Sequence, residues 1–341
     1  SIRRQRQMCI RDNVGGIVLL AVKSGAGSAY KNMCAERFEE EARKTGKPLR
    51  IVYLTNVGGS YNMLGETLRL TREVLLEVSD FRRENCPLSA LTLGVKCGTS
   101  DATSGIAGNP CVGAAFDQLI RAGGTAFFSE TTEIIGAEDL VAKRAVNESV
   151  AKKILSAARH WEDKAKATGE DIRKINPIPA NIAAGISSLE EKSLGAIAKS
   201  GTSPIQDVLK YAEMPKGSGL YFVDSWMSSL SLPLCLTACG ATIMLYQMGG
   251  GKIAQHPMMP SINPTVVSPF LYLTGNAVAY SRAPDNFDFD ASSIMTEGAS
   301  IPEMGTKLLE HLSAIASGTM TKMETLNYAE QLELYMEGPV L

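Results

Sequence analysis

Histidine is almost missing from this sequence: three in 341 residues, His160, His256 and His311. A histidine-centred triad or a His-rich metal centre therefore has little material, and only His256, ahead of a proline, sits in a loop of the right kind. Cysteine is present but unpatterned, with seven residues (Cys9, Cys34, Cys86, Cys97, Cys111, Cys235, Cys239) and no Cys-x-x-Cys. That argues against a zinc finger and against a disulfide framework. No apolar run approaches bilayer length; those at 17–22 and 230–236 suit a strand or a helix. Neither charge dominates, since 34 Lys and Arg oppose 36 Asp and Glu for a net −2. The dispersed basic residues leave no footprint for nucleic acid or for an anionic membrane surface. No apolar segment follows the basic start SIRRQRQMCIR, so it is not a secretory signal. These absences point to a cytoplasmic protein whose partner is a small molecule.

What remains is ordinary globular composition, 45% hydrophobic and 21% charged, enough for two or three cored domains. Residues 1–11 lack periodicity and abut an abrupt strand, so they read as a non-native leader on a truncated frame. Strand and helix then alternate: strand 16–22, helix 32–45, strand 49–54, helix 63–85 and strand 91–95. Helix 113–121, strand 125–128 and a long helix 140–168 follow. After a Pro-rich connector come helices near 189–200 and 205–212, strand 219–223, helix 230–239, strands 242–246 and 270–274, and helix 303–316. Such alternation favours right-handed crossovers and an α/β fold with doubly wound, mostly parallel sheets in two packed domains. Pro87 stops the helix before it, which sets a boundary between residues 12–87 and 88–341.

In a doubly wound sheet the ligand sits outside the carboxyl ends of the strands, so polar loops following strands are the candidate sites. The loop 96–105 is the densest. Its glycines allow close backbone approach, Ser100, Thr103 and Ser104 offer hydroxyls, and Cys97 or Asp101 suits a metal or a proton. A tight Gly/Ser/Asp turn is the competing explanation. The stretch 129–138 carries Glu130 at a strand end, with Glu133 and Glu138 also placed to cap a helix. In 176–195, Ser188 to Glu191 reads as a capping box, leaving Asn181 and Lys192 for a substrate carboxylate or an enolate. Asp224 and Ser225 end another strand, where an N-cap is an equal reading. Gly249 to Lys252 resembles an anion-binding glycine turn without Walker spacing.

Taken together these loops resemble the altronate/galactarate dehydratase family, which also contains the large subunit of sulfolactate sulfo-lyase. KCGTSDATSGIAGNPCVG at 96–113 is similar to the family's Cys-Gly-x-Ser-Asp-x-x-Ser-Gly loop, and GGTAFFSETTEIIGAE at 123–138 to its Ser-Glu-x-x-Glu-x-x-Gly-Ala-Glu stretch. NPIPANIAAGISSLEEKSLG at 176–195 and ASGTMTKMETLNY at 316–328 resemble two further family segments. The sequence departs from the dehydratases at 247–251, where Gln-Met-Gly-Gly-Gly replaces an arginine-bearing turn, and GLYFVDS at 219–225 is closer to the sulfo-lyase type. The family's earlier strand and its His- and Cys-bearing loop are expected upstream of Asn13.

The resemblance implies metal-assisted beta-elimination from a small anionic hydroxy acid or sugar acid, water or sulfite leaving. It implies iron(II) or manganese(II), a homo-oligomer and a small SAF-type partner subunit. On it, Asp101, Glu130 and Lys192 are assigned to catalysis, and Cys97 and Glu133 to the metal. Ser100, Thr103, Ser104, Asn181, Asp224 and Ser225 are assigned to substrate. A folded but inactive binding subunit is the reading from another class. All of it requires the turns around Asp101, Glu130, Asn181 and Asp224 to converge on one pocket.

Overall fold

The computed structural model describes residues 14–21, 35–82, 84–250, 262–265 and 267–327. The leader at 1–11, the first residues of the 32–45 helix, Cys9, Cys34, Lys252, His256 and Tyr328 lie outside them. The chain divides into two compact units, Ser1–Asn85 and Cys86–Leu341.

In the first unit, β1 (Ile17–Ala21) precedes α1 (Ala35–Thr45), and β2 (Leu49–Tyr53) precedes α2 (Ser60–Ser79). The two strands pair in parallel with Ile17 opposite Leu49. A glycine pair leads into β1 because α2 closes on it: a Cβ at Gly16 would lie 2.5 Å from a methyl of Val74, and one at Gly15 2.7 Å from a methyl of Val78.

The second unit runs β3 (Thr92–Gly98), α3 (Asn109–Arg121), β4 (Thr125–Phe128), α4 (Glu148–Ala167), α5 (Leu189–Ile197), β5 (Ile205–Leu209) and β6 (Gly219–Val223). It continues with α6 (Ser231–Ala238), β7 (Ile243–Met248), β8 (Phe270–Thr274), α7 (Ala277–Arg282), β9 (Phe289–Asp290) and α8 (Ile301–Ala316). The strands form one seven-stranded parallel sheet in the order β5-β6-β4-β3-β7-β8-β9. Both faces are covered, which is why the strands read as continuous apolar runs. Leu93, Val95, Leu245 and Leu271 pack with α3, α4 and α8 on one face. Met244, Tyr246, Phe270 and Tyr272 pack with α6 on the other.

The α/β reading stands, with every strand pair among the described residues parallel. Two local expectations are corrected. Within the helix expected at 205–212, residues 205–209 form the edge strand β5, because pairing with β6 buries Ile205 and Leu209 and overrides local propensity. The helix expected at 140–168 is broken: a short helix Glu138–Ala142 ends before Arg144, and Asn147 caps α4 by accepting from the Val150 amide at 3.0 Å.

Connections leave β3 toward β4 and leave β7 toward β8, in opposite directions along the sheet. The crevice between the carboxyl ends of β3 and β7 is thus the topological switch point, where doubly wound sheets bind ligands.

Candidate active site at the sheet switch point

β3 delivers two neighbouring side chains to opposite sides of the sheet. Cys97 is buried on the α3 side, while Lys96 turns the other way and lays its Nζ 4.8 Å from the Tyr246 ring centroid. Position 98 has no room for a side chain, since a Cβ there would meet the Tyr246 hydroxyl at 2.3 Å.

At the end of β4, Ser129 Oγ donates to the Val223 carbonyl at 2.6 Å, and Glu130 adopts φ 72, ψ 66. A left-handed glutamate is strained, and the contacts it makes keep it there. Its carboxylate returns to β3 and accepts from the Cys97 amide at 3.0 Å and from the Cys97 thiol at 3.4 Å. Lys96 Nζ donates to Oε1 at 3.2 Å, and Lys199 Nζ to Oε2 at 2.5 Å. Lys199 is also 3.2 Å from Cys97 Sγ.

Lys199 comes from a 3-10 turn, Ala198–Ser200, that follows α5 and is clamped from two sides. Asp117 on α3 accepts from the amides and hydroxyls of Thr202 and Ser203 at 2.6 to 2.9 Å. Arg144 donates to the carbonyls of Ser200 and Ser203 at 3.1 and 3.0 Å. Only glycine fits where this turn meets α3: a Cβ at Gly113 would lie 2.2 Å from the Ala198 carbonyl oxygen.

All four groups of this cluster are buried. For Glu130 burial opposes ionisation, but Lys199, Lys96 and the Cys97 amide outweigh it and hold the carboxyl down to about 2. Burial likewise opposes the Lys96 ammonium, yet Tyr246, Glu130 and Cys97 keep it above the ordinary lysine value. Lys199 is raised in the same way, against burial, by Cys97 and Glu130. The Cys97 thiol is pushed up to about 11 by burial and by Glu130, so it is protonated at neutral pH. The cluster therefore holds two ammoniums against one carboxylate.

A second buried pair stands nearby. Lys192 Nζ on α5 donates to Glu133 Oε1 at 3.3 Å and to Asn176 Oδ1 at 2.6 Å. Asn181 fixes the β3 loop by donating from Nδ2 to the Ser100 carbonyl at 3.0 Å.

These groups line one cavity of about 770 Å³. Lys96, Cys97, Thr99, Ser100, Glu130, Glu133 and Lys192 line its polar end, with Tyr246 and Gly250 from the end of β7. Trp161, Ile172, Ile175, Ile178, Trp226 and Met227 form an apolar wall. Thr99 has φ 44, and its Oγ1 is buried without a hydrogen-bond partner. The turns bearing Ser100, Glu130, Asn181 and Trp226 thus converge on a single space.

Several side chains assigned from sequence do not face it. Asp101 is instead the keystone of its own turn: Oδ1 accepts from Thr103 Oγ1 at 2.6 Å and from Ser104 N and Oγ at 3.0 and 3.2 Å, and Oδ2 accepts from Asn276 Nδ2 at 2.8 Å. Asp101 and Ser104 border a smaller neighbouring cavity of about 260 Å³, and Thr103 borders neither. Asp224 accepts from Thr131 Oγ1 at 2.7 Å and Trp161 Nε1 at 2.9 Å, and faces a separate space beside β5. Ser225 is buried beneath, 3.1 Å from Thr131 Oγ1. Strand-end position foresaw the loops but not which side chains saturate one another inside them. Lys96, Tyr246, Asn176 and Lys199 were not singled out; Lys199 looks like a helix-end surface lysine in sequence, and only its place seven residues after Lys192 hints at a shared face.

The donor set does not fit a metal held by Cys97 and Glu133. Among the described residues no three His, Cys, Asp or Glu side chains gather around an ion. The Cys97 thiol is protonated and beside the Lys199 ammonium, and Glu133 is already paired with Lys192. A cation at either would meet a like charge.

Residues 88–339 match the family described as D-galactarate/Altronate dehydratase, C-terminal. The chain is 31% identical over 322 residues to (2R)-sulfolactate sulfo-lyase subunit beta of Chromohalobacter salexigens, covering 93% of this chain and 78% of that protein. It is 34% identical over 283 residues to galactarate dehydratase (L-threo-forming) of Escherichia coli, covering 83% and 52%. Against altronate dehydratase of Bacillus subtilis it is 33% identical over 272 residues, covering 80% and 52%. The chain spans about half the length of these two dehydratases.

Proposed function

The chain belongs to the D-galactarate/altronate dehydratase family, and from that membership we propose that it is a lyase removing the group beta to the carboxylate of a small hydroxy acid or sugar acid. One observation carries the reading: Lys96 and Lys199 oppose a single carboxylate, Glu130, at the buried end of the cavity. An uncompensated buried cation is costly, so the site is complete only when an anion enters. The carboxylate of the acid supplies that anion, and its charge grows as the alpha proton leaves.

In the steps we propose, the substrate carboxylate lies against Lys96, and Thr99 Oγ1 donates to one of its oxygens. Glu133, which has the single ammonium contact to Lys192, takes the proton from the alpha carbon. The electron pair forms the alpha–beta double bond as the beta hydroxyl, protonated by Lys192, leaves as water. The resulting enol rearranges to the 2-keto acid. Glu130 takes no proton in this scheme, because a carboxyl held near 2 is a poor base at neutral pH. Iron(II) or manganese(II) enters no step.

Sulfite as the leaving group is the second reading, favoured because the chain spans 78% of the sulfo-lyase subunit. That relative is named a beta subunit, and we extend to this chain a small companion subunit and a cytoplasmic address.

The test is to incubate the chain with galactarate, altronate and (2R)-sulfolactate, following 2-keto acid and sulfite. Runs with ferrous or manganous ion, with chelator, and with a companion subunit complete it. Elimination from one of the acids, lost in Lys96→Met, is expected. A folded chain that eliminates from none of the three under any condition sinks the proposal.

A further inference from the structure

We propose that Lys199 is a positioning residue: from beneath the cavity floor it neutralises Glu130, and so leaves the Lys96 ammonium available to an anionic substrate. The inference rests on reading the cavity as a hydroxy-acid site.

The Glu130 carboxylate is gripped from both sides of the sheet. Lys199 approaches Oε2 at 2.5 Å, whereas Lys96 approaches Oε1 at 3.2 Å. Lys199 is only 1% exposed and is not among the residues that line the cavity, while Lys96 is. The closer partner of the carboxylate is thus the one a substrate cannot reach. Lys96 spends a second proton on the Cys97 carbonyl at 2.6 Å. An ammonium has three donors, so one remains for the cavity.

Without Lys199 the remaining pair would be one to one, and a substrate carboxylate would compete with Glu130 for the same ammonium. With it, the floor keeps a net positive charge. The clamp formed by Asp117, Arg144 and the Gly113 contact holds the lysine turn rigidly, as a fixed charge requires.

The test is a charge-balanced pair of variants, Lys199→Met and Lys199→Met/Glu130→Gln, titrated calorimetrically with galactarate, altronate and sulfolactate. Both are checked for folding by circular dichroism. The single variant is expected to weaken binding by roughly tenfold or more and to raise KM more than it lowers kcat. The double variant removes carboxylate and counter-ion together, and its affinity is expected within about threefold of the wild type.

A lysine that merely supports the fold would not be rescued by removing Glu130. Unchanged affinity in the single variant, or a folded double variant no tighter than the single, overturns the proposal. If the single variant does not fold, the double variant alone decides. Wild-type binding without turnover would sink the lyase reading and leave the role of Lys199 standing; turnover insensitive to Lys199→Met would do the reverse. A wild-type chain that binds none of the three acids overturns both.

Discussion

Replacing Asp101 by asparagine separates a structural keystone from a catalytic acid. Oδ1 of an asparagine can keep the three contacts from Thr103 and Ser104. The other side fails, because an amide nitrogen would face Asn276 Nδ2, donor against donor, at a separation of 2.8 Å. Asn276 cannot flip to cure this, since its Oδ1 caps α7 by accepting from the amides of Val278 and Ala279 at 3.0 and 3.1 Å. The variant loses one charge-assisted bond and buries an unpaired donor, about 2–4 kcal/mol in all. For a unit of this size that lowers the thermal midpoint by about 5–15 °C. The compensating variant Asp101→Asn/Asn276→Asp reverses the polarity: the aspartate at 276 still caps α7 and now accepts from the asparagine at 101. Thermal unfolding followed by circular dichroism should show the loss in the single variant and most of its recovery in the double. A single variant that melts with the wild type, or a double that recovers nothing, refutes the keystone argument.

Three further outcomes follow from the geometry. Gly113→Ala places a methyl against the Ala198 carbonyl, so it should cost about 1–3 kcal/mol in urea unfolding and reduce substrate affinity by displacing Lys199. Cys97→Ser should change turnover by less than about threefold and leave metal content unaltered, because the thiol is protonated at neutral pH; a large loss with falling metal stoichiometry would reinstate it as a ligand. Asp288, raised to about 6 by burial that outweighs the lowering hydrogen bonds from the Lys322 and Tyr272 amides, binds its proton more tightly folded than unfolded. It therefore adds stability below its ordinary value of 3.8 and loses it as pH rises through 6, about 3 kcal/mol, a slope that urea midpoints should show and Asp288→Asn should lack. Glu130 runs oppositely, its contribution lasting until the pH falls toward 2.

The alternation of strand and helix made the parallel sheet legible, because buried parallel strands are apolar throughout and their loops polar. The loops 96–105, 129–138 and 176–195 stood out for the same reason. What the sequence could not convey was pairing. Asp101 and Asp224 look like ligand-facing acids until Asn276 and Trp161 are seen to donate to them, from 175 and 63 residues away in the chain. Within the expected helix 205–212, only the neighbouring β6 makes residues 205–209 an edge strand. Lys199 has an unremarkable local context, and its turn is seated against α3 by glycines at 113 and 201 that pack on each other.

Lys192 and Lys199 belong to one short stretch, α5 and the turn after it. Whatever slides that segment as a unit moves both cations at once. Transplanting or loosening this single segment would retune the whole electrical character of the chamber without touching a strand, which makes it a compact handle for redesigning what the protein accepts.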